Sequence, residues 1–411
     1  MSISLGVSLA VFLLIAGREW LPSFPKIWQI MVAGALVLLA SGEIGLHEAL
    51  AAVDWNILLY LFAVFSIGRA LYDNGLSHRI AEGLISLKSQ RRALLAFVGL
   101  FAAMSAILTN DAAAIIGTPI ALLLARRMGC DATLLLIVLC VTVTVGSMAT
   151  PVGNPQNLLI AASGGVPAPV LTFFVWLIVP TLLCLGLVFV WLLRALRRQE
   201  AGESDPPPFE ESSSRLWPLY IAVIILVVLV VGESVLAAIN PAWGFPLGLA
   251  AAVAALPVYL FSPTRLKTFT RLDWPTLAFF VAMFIVTGAL IQSGSLQALL
   301  GETLSHMTQP LATAGISFVG SQVVSNVPLV DIYLKLLPRY EVDNLMMLAA
   351  VSTLAGNVFI ISAASNVIVL QVAERLGGPE ITFTRFTRLV LPIGLVTTAL
   401  TVGWILLLRA L

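Results

Sequence analysis

Charge is the scarcest commodity in this sequence. Of its 411 residues, 10% are Asp, Glu, Lys or Arg, where a soluble domain carries about 25%. No basic face exists for nucleic acid, so a nucleic-acid partner is excluded. Histidine is scarcer still, with three scattered copies. His47-Glu48 begins like the zinc motif H-E-x-x-H, but Ala51 stands where the second His must be. The three cysteines, Cys130, Cys140 and Cys184, lack metal-ligand spacing and read as small hydrophobes. A paired-aspartate intramembrane protease needs a second buried Asp, and Asp331 already has Lys335 one helical turn on. An enzyme, a metal and a cofactor are therefore not expected. Long polar stretches are also absent but for one. "RRQEAGESDPPPFEESSSR", from Arg197, has no apolar period and reads as a flexible cytoplasmic linker over 196–213.

What remains is oil: 59% of the residues are hydrophobic. Apolar runs long enough to cross a bilayer recur throughout, with none of the alternation of a β-barrel. The fold class is an all-α polytopic membrane protein. Spans are predicted at 3–17, 27–41, 54–72, 133–162, 168–194, 216–233, 244–261, 274–292, 343–372 and 384–409. The first run lacks a basic flank and an A-x-A-like site, so it reads as a span and not a signal peptide. Two further stretches, 93–125 and 310–338, break at polar centres, Thr109-Asn110-Asp111 and Ser325-Asn326. They are expected to be re-entrant hairpins. With ten crossings and two hairpins, 18 of the 22 Lys and Arg fall on one face and 3 on the other, with Arg69 inside a span. The rich face is cytoplasmic by the positive-inside rule, which places the protein in the inner (plasma) membrane with the linker inside. The first hairpin then opens to the cytoplasm and the second to the outside.

The chain repeats itself at an offset of about 210–220 residues. "DWNILLYLFAVFSIGRALYDNGLS" from Asp54 matches "DWPTLAFFVAMFIVTGALIQSGSL" from Asp273. "LTNDAA" matches "VSNVPL", and Asn157 aligns with Asn366. Each half holds five crossings, an odd number, so the copies lie in opposite orientations. Inverted repeats with interrupted segments mark secondary transporters, whose site lies at the repeat interface. Two hairpins opening to opposite faces favour alternating access over a channel.

Irregular backbone at membrane depth survives only where it lines a cavity or is buried in protein. Four such places are expected, at 109–111, 150–157, 325–328 and 362–366. Asn110, Asn154, Asn157, Asn326 and Asn366 supply neutral donors and acceptors there, suited to a hydroxylated or oxyanionic solute; the plainer role for each is capping a broken helix. Asp111 has no counterpart, since Val327 follows Asn326. A lone carboxylate at midplane costs several kcal/mol and is a functional residue by default. It is the expected proton carrier. Arg69 with Asp73, and Asp331 with Lys335, read as local pairs, and Asp54 and Asp273 as N-caps beside interfacial Trp residues.

"TNDAAAIIGTPIAL", "TPVGNPQN", "SNVPLV" and "SAASNVIV" resemble the ion transporter superfamily, in particular its ArsB-type arsenite permeases and NhaD-type sodium/proton antiporters. More distantly they are similar to the divalent-anion/sodium symporters. That likeness implies ligands at Thr109, Asn110, Ser325 and Asn326, and at Thr150, Gly153, Asn154, Asn157, Ser365 and Asn366. The symporters have Thr where this chain has Asp111, which favours proton over sodium coupling. The resemblance further implies a homodimer working as an elevator. Residues 1–92 and 214–309 would form the scaffold, and 93–195 and 310–411 the moving transport domain. The stretches near 76–90 and 295–308 would be the lateral arms. For an arsenite pump it also implies a cytoplasmic ATPase subunit. The expected function is proton-coupled efflux of arsenite or antimonite, with sodium-linked transport of Na⁺, a dicarboxylate or a small inorganic anion as the rival.

Overall fold

A computed structural model describes residues 2–17, 25–87, 89–196, 216–301, 307–337 and 341–411. The predicted linker over 196–213 falls outside these residues except for Leu196, as does 302–306 of the second predicted arm. Among the described residues the chain is helical throughout, with no strand. Six helices among the described residues are long and apolar enough to cross a membrane by length and composition, and six shorter apolar ones have 10–17 residues. Two of these twelve are the first arms of hairpins, which leaves the ten expected crossings.

The first half runs α1 (Ile3–Gly17), α2 (Ile27–Ala40), α3 (Leu46–Ala52), α4 (Trp55–Asp73) and α5 (Leu76–Ile85). The hairpin arms α6 (Gln90–Leu108) and α7 (Asn110–Met128) follow, then α8 (Ala132–Ser147), α9 (Pro155–Ala162) and α10 (Pro169–Leu196). The second half repeats this order. It has α11 (Trp217–Ile239), α12 (Leu247–Phe261), α13 (Arg265–Thr270), α14 (Trp274–Gln292) and α15 (Ser295–Leu300). Its hairpin arms are α16 (Pro310–Val324) and α17 (Asn326–Leu336), followed by α18 (Val342–Ala355), α19 (Ala364–Arg375) and α20 (Phe383–Ala410).

The two copies match in detail. Helices α4 and α14 each have 19 residues, and α10 and α20 each have 28 with one internal proline, Pro180 or Pro392. Asp54 and Asp273 cap their helices by accepting from the Ile57 and Thr276 N–H groups, as expected. The following indoles, Trp55 and Trp274, each donate to the carbonyl five residues back. Left-handed Gly75 and Gly294 turn the chain into the short helices α5 and α15. The aspartate pairs also stand as read: Arg69 Nη2 lies 2.9 Å from Asp73, and Lys335 Nζ lies 2.7 Å from Asp331.

Both hairpins fold back on themselves. The Phe101 ring lies 2.9 Å from where a Cβ on Gly117 would stand, and Leu329 lies equally close to Gly320. Each arm of the first hairpin has 19 residues, longer than its sequence suggested. The reason is that the break is a single residue and the helix resumes at Asn110. The halves interlock. Helix α4 packs on α12 and α14 on α2, while α7 packs on α19 and α9 on α17.

Candidate functional site

Each hairpin tip is one residue held far from helical geometry. Thr109 and Ser325 have φ of +132° and +76°, both with ψ of 155°. Among the described residues the only other non-glycine at positive φ is Ala168. Such backbone costs on the order of 1–3 kcal/mol and persists only when its surroundings impose it. Here the turn frees helix-start N–H groups at membrane depth. The Thr109 hydroxyl accepts from the Ala112 N–H at 3.3 Å, and the Asn110 side-chain oxygen accepts from the Asp111 N–H at 2.9 Å. The Asn110 N–H itself donates to the Gly153 carbonyl at 2.8 Å, which ties the tip to the neighbouring break.

The first broken helix stops at Ser147 and resumes at Pro155, so its unwound stretch is 148–154 and Asn157 lies in regular helix. Asn154 caps α9, accepting from the Asn157 N–H at 2.9 Å. The Asn157 amide points at the carbonyls of Ser147, Met148 and Thr150, at 3.2, 3.4 and 3.0 Å. In the second half Asn366 donates to Gly356 O at 2.8 Å and Phe359 O at 3.4 Å. Both asparagines reach ten and seven residues back. They satisfy the carbonyls that a broken helix leaves without partners. Their carboxamide nitrogens therefore hold backbone, the plainer of the two roles read from sequence. Ser365 and Asn366 likewise sit in the first turn of α19, and the unwound stretch lies just before it, at 356–363.

Gly153 is where the break closes on itself. A Cβ there would stand 2.4 Å from the Ser147 carbonyl oxygen and 2.7 Å from its Cα. Those are backbone atoms with no rotamer to retreat to. Gly153→Ala is expected to abolish a monodisperse peak in detergent size-exclusion chromatography, and a normal elution profile would disprove the close approach.

Two residues without a sequence signal, Thr353 and Gln322, complete the site. The Thr353 hydroxyl, on α18, accepts from Asn154 at 3.2 Å and Gln156 at 3.4 Å and donates to Asn157 Oδ1 at 3.3 Å. It joins the second half to the first half's break. Gln322 joins its own hairpin to the second break through Ala355 O and the Ser362 hydroxyl. A Thr or Gln inside an apolar helix carries no sequence signal of its own.

Asp111 stands apart from these satisfied groups. It is 7% exposed, and one of its carboxylate oxygens is buried with no hydrogen-bond partner. It forms part of the wall of a cavity of about 680 Å³ between α4, α7, α19 and the segment entering α14. The lining also includes Gly68, Ala112 and Ile115, the carboxylates Asp73 and Asp273, and the cations Arg69, Lys267, Arg271 and Arg375. Lys267, Arg271 and Arg375 form no ion pair among the described residues. In the second half the unpartnered buried atoms at the tip and break include neutral oxygens on Asn326, Asn357, Ser365 and Asn366, and elsewhere in that half the Glu233 carboxylate on α11 also has a buried oxygen with no partner.

Paired hairpins and broken helices, inverted between halves and enclosing a cavity walled in part by Asp111, define a polytopic membrane transporter, not an enzyme. The chain belongs to the citrate transporter family, CitMHS, which it matches over residues 11–339. It is 26% identical over 386 residues to an uncharacterized transporter of Mycobacterium tuberculosis, covering 88% of this chain and 89% of that one. It is 27% identical over 329 residues to the inner membrane protein YbiR of Escherichia coli, with 79% and 81% covered. The silicon efflux transporter LSI3 of rice is 25% identical over 443 residues, with 89% and 90% covered. In fold it is similar to the crystal structure of the Alcanivorax borkumensis YdaH transporter, with a TM-score of 0.51 at 17% identity over 91% of this chain and 87% of that one. The superfamily is the one the motifs implied. None of these matches carries the arsenite-permease or NhaD-type branch.

Proposed function

We propose that this transporter exports a small hydroxylated solute, with trivalent arsenic or antimony as the best-fitting class, in exchange for protons. The observation that carries the reading is Asp111: a carboxyl with an unpartnered buried oxygen on the wall of the cavity between the halves. Outside the lining of that cavity, the hairpin tips and breaks carry neutral carboxamides and hydroxyls, which suit an uncharged hydroxide. The name of the rice relative, a silicon efflux transporter, supports the same kind of cargo. Thr109, Asn110, Thr150, Gly153, Asn154 and Asn157 would form one side of the binding region, and Ser325, Asn326, Ser365 and Asn366 the other. Residues 1–92 and 214–309 act as a scaffold, in a homodimer in the inner membrane, against which 93–195 and 310–411 slide as an elevator. The cavity then opens to the cytoplasm.

A second reading has its own support. Unpartnered neutral oxygens at the second tip and break, on Asn326, Asn357, Ser365 and Asn366, suit Na⁺, the unpaired cations around the cavity suit an anion, and the family's description is a citrate transporter. Purified protein in proteoliposomes with an imposed pH gradient separates the two. Arsenite flux that follows the gradient and ignores sodium supports proton exchange. Flux indifferent to the gradient, with thermal stabilisation by Na⁺ plus citrate and not by As(III) or Sb(III), supports the second reading.

A further inference from the structure

The Asp331–Lys335 pair does more than its helical spacing accounts for. Both residues lie on α17, in the second hairpin, and both reach Thr287 on α14. The Thr287 hydroxyl donates to Asp331 Oδ2, and Lys335 Nζ lies 3.0 Å from that hydroxyl and 2.7 Å from the same carboxylate oxygen. The Lys335 ammonium also sits over the Phe284 ring, 5.5 Å from its centre, one turn back on α14. Asp331 and Thr287 are buried. A charged pair at this depth joins two helices and not merely two turns of one.

The inverted repeat gives the contact its meaning. Counting from the matched Asp54 and Asp273, Thr287 corresponds to Gly68. Counting from the matched Asn110 and Asn326, Asp331 and Lys335 correspond to Ile115 and Pro119. All three counterparts line the cavity beside Asp111. At one end of the molecule these positions are Gly, Ile and Pro and border the cavity, where α4 and α7 touch only through apolar atoms, a Cβ on Gly68 standing 2.8 Å from that of Ala112. At the other, roughly 20 Å further along α14 at 1.5 Å per residue, the same interface is shut by a hydroxyl, a carboxylate and an ammonium.

We propose that Thr287, Asp331 and Lys335 form a latch that closes the outer side of the transporter while the inner cavity is open, and that it parts each time the transport domain moves. This rests on the alternating-access reading above. A latch bonded in one state and broken in the other contributes its whole interaction energy to the balance between them. The inner counterparts carry no such bond, so the latch biases the resting protein toward the inward-open state.

The test reads both ends at once, in nanodiscs, with a bulky maleimide and mass spectrometry on the labelled peptides. Reporters are Leu290→Cys, buried one turn beyond Thr287 on α14, and Ile115→Cys in the cavity, in a Cys130→Ala background. Adding Asp331→Asn with Lys335→Met removes the charges without stranding either one. The latch predicts labelling at position 290 roughly tenfold faster, a shift of about 1.4 kcal/mol, with labelling at position 115 slowed in step. Unchanged labelling at 290 overturns the proposal. So does a rise at 290 with no fall at 115, which is local loosening. The pair Thr287→Cys/Asp331→Cys is a second check that does not depend on how the neutral variants fold. Oxidised to a disulfide it should restore fast labelling at 115, and reduction should reverse this; failure to cross-link or to restore counts against the latch. Gradient-driven flux is measured on latch-intact protein. Lost coupling therefore leaves a positive latch result standing, and an unmoved latch reporter leaves the coupling standing.

Discussion

Asp111→Asn eliminates the response of flux to a pH gradient and leaves solute-induced thermal stabilisation in place. The substitution preserves shape and hydrogen-bonding capacity at the tip and removes only the titration. The carboxyl stands at the first hairpin tip, one residue beyond Asn110, whose N–H is bonded to Gly153 O. Its own N–H is taken by the Asn110 side chain, so the group is fixed in place while one oxygen has no partner. A carboxyl that must move past an apolar barrier does so at least cost when neutral. Cargo moving one way with the proton moving the other follows from that. The expected loss is at least roughly tenfold in gradient-driven flux, the scale on which removing one coupling energy of about 1.4 kcal/mol acts. Gradient-driven flux at the unmodified rate would remove Asp111 from the mechanism.

The second large effect is on stability. Asn157→Ala and Asn366→Ala each strand backbone carbonyls inside a membrane protein, where water cannot replace the lost donor. A stranded buried acceptor costs about 1–3 kcal/mol. Asn157 serves three carbonyls and also accepts from Thr353, whereas Asn366 serves two carbonyls. The expected ordering is therefore a larger loss of stability for Asn157→Ala, on the order of 3–5 kcal/mol, and a smaller one for Asn366→Ala, read as the larger and smaller falls in thermal midpoint. Solute-free protein is the right sample, because a residue that only touched cargo would leave its midpoint unmoved. Equal midpoints for both variants and the unmodified protein would return these asparagines to the ligand list alone.

Much of this was legible before any coordinates. Hydrophobic length gives the spans, because a bilayer demands about 20 apolar residues per crossing and tolerates polar breaks only where protein covers them. The repeat is legible for the same reason: Asp54 and Asp273 cap matching helices, and the two polar tips interrupt matching hairpins. The break boundaries were read two or more residues late. Pro155 is a good first residue of a helix, so α9 begins there and takes Asn157 into its first turn. Short α3 and α13, of 7 and 6 residues, have no length signal in the sequence.

The sequence by itself determined the fold class, the inversion of the halves and the lack of a second-half counterpart to Asp111, since each depends on composition or on register along the chain. The tertiary structure decided what each polar group does. Only packing brings Thr353 from one half to the break of the other, turns the Asn157 and Asn366 amides onto backbone carbonyls, and sets Asp111 on a cavity wall. It also sets Asp331 and Lys335, a plain helical pair on paper, against a threonine on another helix. Hydrogen bonds are satisfied by whatever lies within about 3 Å, and that neighbourhood is a property of the fold and not of the chain.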